Sequence, residues 1–422
     1  MKQLILICAV LMTTSSVMAQ DSTLLQKYRA MALQYNHDLK AVQKNINISM
    51  ELEKSAKADK KPKAAGGINY QFTGNPMEIN MPPIDVQGSH NQYGAFVSLL
   101  QPVYTGGRIL ETIRLAQIRQ SYTKNQAEFL RSSVCFQTDI QYWNTVARKE
   151  MIAVTQAYRN SVQSLVNIIR ERVEVGMTDP TDLLMAEVKL NEADYQLMQI
   201  TNSFETGLMA LNSIIGVDLP QQTAVDEAIP LILPSDYESL RYTNIRPEVK
   251  MAQDQISMEK SNLKLTDSKY KPQFYVGADG NYSSPGYNFK PNMDPNYALY
   301  GKISIPIFEW GKRRSDKRAS NFRIGMATDN LNKVDDEVKL EIGSTKVALD
   351  QAIERTKLTE NSLAKAKENE TKMLERYSEG KVSITEVINA QLYYQTSLIN
   401  FVQSKLEGQS QLSKLKNVLN IE

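Results

Sequence analysis

The 422-residue chain has little of what most chemistry needs. Its only histidines are His37 and His90, and its only cysteines are Cys8 and Cys135. The two histidines are far apart. His37 sits where a helix should begin, and His90 sits in a polar loop. There is no HExxH, no glycine-rich phosphate loop followed by Lys-Ser/Thr, no nucleophile elbow and no paired-cysteine motif. No catalytic residue, metal ligand or cofactor site can be nominated. The formal net charge is +2, so no broad field argues for nucleic acid. Glycine and proline are scarce, while Ala, Gln, Asn, Ser, Leu and Lys are plentiful, a helical composition with polar surfaces. Beyond the N-terminus no apolar run reaches the roughly 18 residues that a spanning helix requires. A chain like this can cross a membrane only with strands.

The N-terminus reads Met1-Lys2, an apolar run from Leu4 to Met12, four hydroxyl residues, then Val17-Met18-Ala19. That is the layout of a secretory signal over 1–19, with cleavage after Ala19. A short membrane anchor is the alternative, and the run is short for it. Cys8 lies inside the run rather than after it, which argues against lipidation. Cys135 then remains alone, unable to form an internal disulfide, and is expected as a small buried residue.

What the chain does have is one device used twice. No charged side chain occurs from Val86 to Gly107, a stretch that ends Pro102-Val103-Tyr104-Thr105-Gly106-Gly107-Arg108. A proline-free, charge-rich segment of about seventy residues follows, with helical periodicity. The device recurs as Pro306-Ile307-Phe308-Glu309-Trp310-Gly311-Lys312, Pro306 and Gly311 each lying 204 positions after Pro102 and Gly107. Upstream, helices are expected to stop at Lys61-Pro62 and Lys271-Pro272, because proline removes a donor and restricts the residue before it. Alternation follows each stop: Ile68, Tyr70 and Phe72 against Asn69, Gln71 and Thr73, and Phe274, Val276 and Ala278 against Gln273, Gly277 and Asp279, with Tyr275 blurring the second. Loops over Gly74–Asn91 and Ser283–Asn296 lead to return strands. A period of two with aromatic ends fits an outer-membrane hairpin, apolar towards lipid. A small soluble hairpin packed on helices is the competing reading.

The organisation implied is a signal segment 1–19, a lead-in 20–35, a first repeat 36–216, a proline-bearing linker 217–244 and a second repeat 245–422. Hairpins are expected at about 64–105 and 273–309, long helices at about 106–175 and 311–379, and return helices at about 181–216 and 384–420. On the first long helix Phe136, Ile140, Trp143, Ala147, Met151, Val154, Tyr158, Val162, Leu165, Ile169 and Val173 form one stripe. Its period is about 3.67 residues per turn, close to that of a straight helix. Leu183, Ala186, Leu190, Ala193, Leu197, Ile200, Phe204, Leu208, Leu211 and Ile215 form a seam on the next.

A helix of about seventy residues is about 105 Å long, and its two shorter neighbours end to end reach about 90 Å. Helices in globular domains average about 11–12 residues. The wall of a long tube explains such lengths. Four strands cannot close, and an open edge cannot face lipid. Two copies give an eight-stranded barrel filled by side chains, whereas three give twelve strands and a lumen. The expected fold is therefore mainly α with a transmembrane β part. It has two structural repeats, each a β-hairpin plus long antiparallel helices, in a trimeric 12-stranded β-barrel continuous with a periplasmic α-helical barrel.

The two strand-to-helix junctions, with Pro102, Gly106, Gly107, Pro306 and Gly311, resemble those of the TolC-like outer-membrane efflux factors of Gram-negative bacteria. So do Val175-Gly176 with Asp182 and Glu379-Gly380 with Glu386, and the resemblance spans essentially the mature chain. It implies a homotrimeric duct in outer-membrane lipid that extends into the periplasm. Such a duct is an exit for efflux or type I secretion, fed through a periplasmic adaptor by an inner-membrane transporter of RND, ABC or MFS type. By position, Gly176, Met177, Thr178, Gly380, Lys381 and Val382 would be the adaptor-facing tips, and Asp182, Tyr377, Glu386 and Asn389 the periplasmic iris. The family pattern has a second acidic residue where Asn389 stands and an arginine where Val382 stands. This chain departs at both, so only Glu386 remains for an acidic ring, and crowding would raise carboxyl pKa values there. A non-conducting elongated envelope scaffold or adaptor is the alternative, and would behave as a water-soluble monomer.

Overall fold

The computed structural model describes residues 23–76, 78–82, 84–241, 245–287 and 292–421. The expected signal segment 1–19, the start of the lead-in and linker residues 242–244 lie outside the described residues. The chain is mainly helical. Helices α1 (Thr23–Tyr35) and α2 (His37–Ala58) precede strands β1 (Lys63–Phe72), β2 (Glu78–Met81), β3 (Ile84–Gln87) and β4 (Asn91–Thr105). Helices α3 (Arg108–Glu174), α4 (Pro180–Ile215) and α5 (Pro247–Ser268) follow, then β5 (Gln273–Ser284) and β6 (Asp294–Ser304). Helices α6 (Lys312–Ser378) and α7 (Ile384–Val418) end the chain, and α3 and α6 are each 67 residues long. Two compact units result. A strand unit comprises Lys40–Phe129 and Pro247–Asp336, and a helical unit holds the other described residues.

In the strand unit the sheet is antiparallel in the order β1-β4-β5-β6. Tyr70 lies opposite Tyr93, Leu99 opposite Ala278, and Ala278 opposite Leu299. Side chains alternate along a strand, so this register gathers Ile68, Tyr70, Val97, Leu99, Tyr282, Tyr297, Leu299 and Ile303 on one face. That face is bare: Ile68 is 89% exposed, Tyr297 81% and Leu299 78%. Asn69, Gln71, Gln92, Ser98, Asp279, Asn281 and Lys302 share the other face. Tyr275, which blurred the alternation, belongs to this polar face, where its hydroxyl bonds Gln273 Oε1 at 2.8 Å. β1 and β6 each keep one edge unpaired among the described residues. The pairing shifts between Pro102 and Tyr104, a bulge that accommodates a residue with no N–H to donate.

The stretch Gly74–Asn91, expected as a loop, contains a short hairpin in which Glu78 pairs Gln87 and Met81 pairs Ile84. Four-residue strands are too short for periodicity to reveal.

In the helical unit the stripe of α3 and the seam of α4 are inward faces. Trp143, Tyr158, Val162, Leu165, Ile169, Ala186, Ala193, Leu208, Leu211 and Ile215 are all buried. Tyr142 and Trp143 pack edge to face at 5.1 Å between ring centroids. The segment after α4 folds back because the Asn212 amide donates to the carbonyls of Asp218, Leu219 and Gln221 at 2.8–3.3 Å. Val225 and Ile229 then enter the same core as Trp143. Cys135 is half-buried rather than buried. It lies one position off the stripe and lines a cavity with Ser132 and Asp139.

Lys405 and Glu150 form an ion pair with side chains only 6% and 15% exposed. The second Glu150 oxygen accepts the Ile229 N–H at 2.9 Å, so the pair also pins the linker. Lys405→Met is expected to leave a buried carboxylate without its cation and to destabilise the protein by about 3 kcal/mol. A thermal midpoint equal to wild type would show that the pair does not anchor the linker.

Candidate functional site

The two helix–helix turns close with the same backbone device. Gly176 and Gly380 both have φ of +75°, a left-handed conformation that a Cβ disfavours. Met177 N–H bonds the Arg172 carbonyl at 2.8 Å, and Gly176 N–H bonds that of Val173 at 3.0 Å. In the second turn Lys381 N–H reaches the Arg376 carbonyl and Gly380 N–H that of Tyr377, both at 2.9 Å. These crossed bonds satisfy the last helical carbonyls.

Each following helix is capped by its own side chain. Asp179 Oδ1 accepts the Thr181 N–H at 2.8 Å and its hydroxyl at 2.7 Å, with Pro180 opening α4. Ser383 and Glu386 form a capping box. Glu386 Oε2 accepts the Ser383 N–H at 2.7 Å, and Ser383 Oγ accepts the Glu386 N–H at 3.4 Å. The Thr181 hydroxyl and N–H hold Asp179 below the usual carboxylate range. The Ser383 N–H, then its hydroxyl, do the same for Glu386, with Arg376 adding to them. Within one chain the Glu386 shift is therefore opposite to the one that crowding would cause.

A carboxylate with a depressed folded pKa stabilises above its ordinary value, here 4.5, and loses that contribution as pH falls through the folded value. Glu386→Ala should accordingly speed amide exchange at the start of α7 at neutral pH. The difference from wild type should shrink as pH falls below 4.5 and vanish once pH is below the folded pKa. Equal protection at neutral pH would remove the capping role.

The two turns touch. Arg172 Nη1 donates to the Tyr377 carbonyl at 2.6 Å, and its guanidinium carbon sits 5.0 Å from the Tyr377 ring centroid. Tyr377 is 4% exposed, in a core with Leu165, Val166, Ile169, Ala186, Ile384 and Val387. Burial pushes its phenol pKa up, while Thr178 and Arg172 oppose that and Asp182 adds to it. The hydroxyl has no partner of ordinary hydrogen-bond geometry.

Among the residues expected at the tips, Gly176, Met177, Gly380 and Lys381 are exposed, whereas Thr178 and Val382 are half-buried. Val382 packs on the Tyr377 core, and Lys381 pairs with Glu379 at 2.6 Å. Glu386 and Asn389, three apart on α7, share an exposed face; Asp182 is half-buried and influences Tyr377. Sequence reasoning gave Arg172 no role. Its counterpart Arg376 is exposed, so residue type and position gave no signal of the bridge.

At the junctions, Gly106, Gly107 and Gly311 have φ of +64°, +92° and +81°. Pro102 lies on the polar face of the sheet opposite Tyr275, and Pro306 is half-buried just past β6.

Very long polar helices joined by glycine turns, and a sheet with one bare apolar face, define a class: an outer-membrane channel that continues into the periplasm. The model of the outer membrane efflux protein family matches residues 29–217 and 243–420, and the chain belongs to that family. It is similar to the outer membrane protein TolC of Escherichia coli (strain K12), 21% identical over 441 aligned positions that cover 96% of this chain and 83% of TolC. Its fold is similar to that of the CmeC outer membrane channel of Campylobacter jejuni (TM-score 0.76, 17% identity, 94% of this chain and 85% of that one). It is also similar to the open state of the MtrE outer membrane channel of Neisseria gonorrhoeae (TM-score 0.77, 16% identity, 94% and 89%). The protein is an outer-membrane efflux channel, of a family whose members are not enzymes. The scaffold alternative finds no support.

Proposed function

We propose that three copies of the chain close one duct. In this reading their sheets form a twelve-stranded barrel in the outer membrane and their long helices a periplasmic α-barrel, each chain supplying the plan twice. The observation that carries this is the open sheet: four strands, two edges unpaired among the described residues and an exposed apolar face. Neither edge nor face is tolerable in lipid or water for a lone chain, whereas neighbouring copies would pair the edges and lipid would cover the face. Leu184, Val188, Tyr195 and Met198 add an exposed apolar line on α4 that a sister helix would cover.

The turns carry the regulation in this proposal. Gly176, Met177, Thr178, Gly380, Lys381 and Val382 would present the surface for a periplasmic adaptor coupled to an inner-membrane transporter of RND, ABC or MFS type. Family members are trimeric and work with an adaptor and inner-membrane pumps in general. Asp182, Tyr377, Glu386 and Asn389 would shape the constriction, with Glu386 as a single acidic ring and Tyr377 acting from the core beneath. Cargo would pass through water lined by Asn, Gln and Ser, and the channel itself would consume no energy.

Detergent-extracted protein should have a trimer's mass by light scattering, show elongated particles in electron micrographs, and give conductance steps in planar bilayers. A water-soluble, non-conducting monomer would overturn the proposal.

A further inference from the structure

We infer that the polar face of the sheet, at the end where it meets the helices, is a binding collar for organic anions that carry an aromatic or apolar group. The inference rests on the barrel proposed above, in which that face lines the lumen.

A cavity of about 520 Å³ opens over this end of the face. Lys63 of β1, Lys302 of β6 and Arg108 at the start of α3 line it, together with Tyr275, Tyr300 and Leu100. The register explains the grouping: Lys63 lies opposite Leu100, Leu100 opposite Gly277, Gly277 opposite Tyr300 and Tyr275 opposite Lys302. The Tyr300 ring lies across Gly277, in the space a Cβ would take, so the aromatic surface is fixed against the wall.

Charge is unbalanced here. The carboxylate lining the cavity is Asp59, and it is paired with Lys63 at 2.9 Å. Arg108 and Lys302 make no ion pair among the described residues. Stability does not account for them. Arg108 opens α3, where the helix dipole disfavours a cation. Lys302 projects from the same strand face on which Ser304 serves as a neutral polar residue. Asp279 and Asp294 of this face lie further along the strands, opposite Ser98 and Ser283. The sign of the wall thus changes along its length, with the cations at the helix end. Facing a water-filled bore with low-dielectric walls, unpaired cations concentrate anions, guanidinium and ammonium groups give carboxylates charge-assisted hydrogen bonds, and the tyrosines take the apolar part. Sister copies would repeat the site around the axis.

The test uses purified trimer in detergent and 6-carboxyfluorescein, followed by anisotropy at low ionic strength. Wild type should bind the dye, and R108Q/K302Q should bind it at least about tenfold more weakly. Lys302→Gln alone should fall between them. Lys54→Gln, which removes an exposed lysine paired with Glu51 elsewhere on α2, should leave binding unchanged. In planar bilayers the chloride-to-potassium permeability ratio of R108Q/K302Q should drop at least about twofold. Conducting trimers whose dye affinity and permeability ratio do not respond would overturn the collar and leave the duct standing. Failure of wild type itself to form conducting trimers would overturn the duct and the collar with it.

Discussion

Gly106→Val is expected to abolish assembly in the outer membrane, while Gly107→Ala and Gly311→Ala should be tolerated. All three glycines have positive φ, so each substitution carries a backbone cost of about 1 kcal/mol. What separates them is space. A Cβ on Gly106 would lie 2.7 Å from the Ser268 carbonyl oxygen and 2.8 Å from Lys271 Cβ, whereas nothing lies within 4 Å of one on Gly107 or Gly311. The obstacle at Gly106 is backbone and cannot swing aside. Ser268 is fully buried at the end of α5, and its carbonyl accepts the Lys271 N–H at 3.3 Å in the tightened turn before Pro272. Relief would require moving the end of α5 and with it the start of β5. The branched side chain adds overpacking, for a total of roughly 3 kcal/mol or more. The effect should appear as loss of trimer from outer-membrane extracts, and the two alanine variants should assemble with slightly lowered melting temperatures. Normal yield and melting of the valine variant would show that the crossing of β4 over α5 is not a constraint.

The same contrast explains what was legible in the sequence. Features acting through a residue's own backbone or a repeating period could be read: the proline stops, the glycine turns and the stripes of α3 and α4. Features that depend on what another segment places opposite could not. Gly106, Gly107 and Gly311 look alike as letters, and only the Ser268 carbonyl distinguishes the first. Tyr377, matched by position to a constriction, is a core residue, because α3 and α7 bring Ile169 and Val387 over it. Cys135 is half-buried because it borders a cavity, which its neighbours in sequence do not reveal. The cationic end of the sheet escaped notice because Lys63, Arg108 and Lys302 are distant in sequence and meet only through strand register.

Removing the Arg172 guanidinium should loosen the paired turns without unfolding them. Arg172→Ala deletes a charge-assisted hydrogen bond to the Tyr377 carbonyl and a cation–π contact, together worth about 2 kcal/mol at this half-exposed position. The apolar contacts of Leu165, Ile169, Ile384 and Val387 remain, so the helices should still pack. If the turns form the constriction, 2 kcal/mol corresponds to roughly a thirtyfold shift towards the open state. R172A trimers should then show higher mean conductance in bilayers, and cells carrying them should admit large dyes more readily. Arg172→Lys keeps the charge and loses the planar stacking, and should fall between R172A and wild type. Arg376→Ala is the internal control. Arg376 occupies the equivalent place in the second turn, yet it is exposed and only adds to the field at Glu386, so its loss should leave conductance nearly unchanged. Equal conductance in R172A and wild type would place the narrowest point of the duct elsewhere. Equal gains in the two alanine variants would point to general positive charge, rather than the bridge between turns, as what holds the end closed.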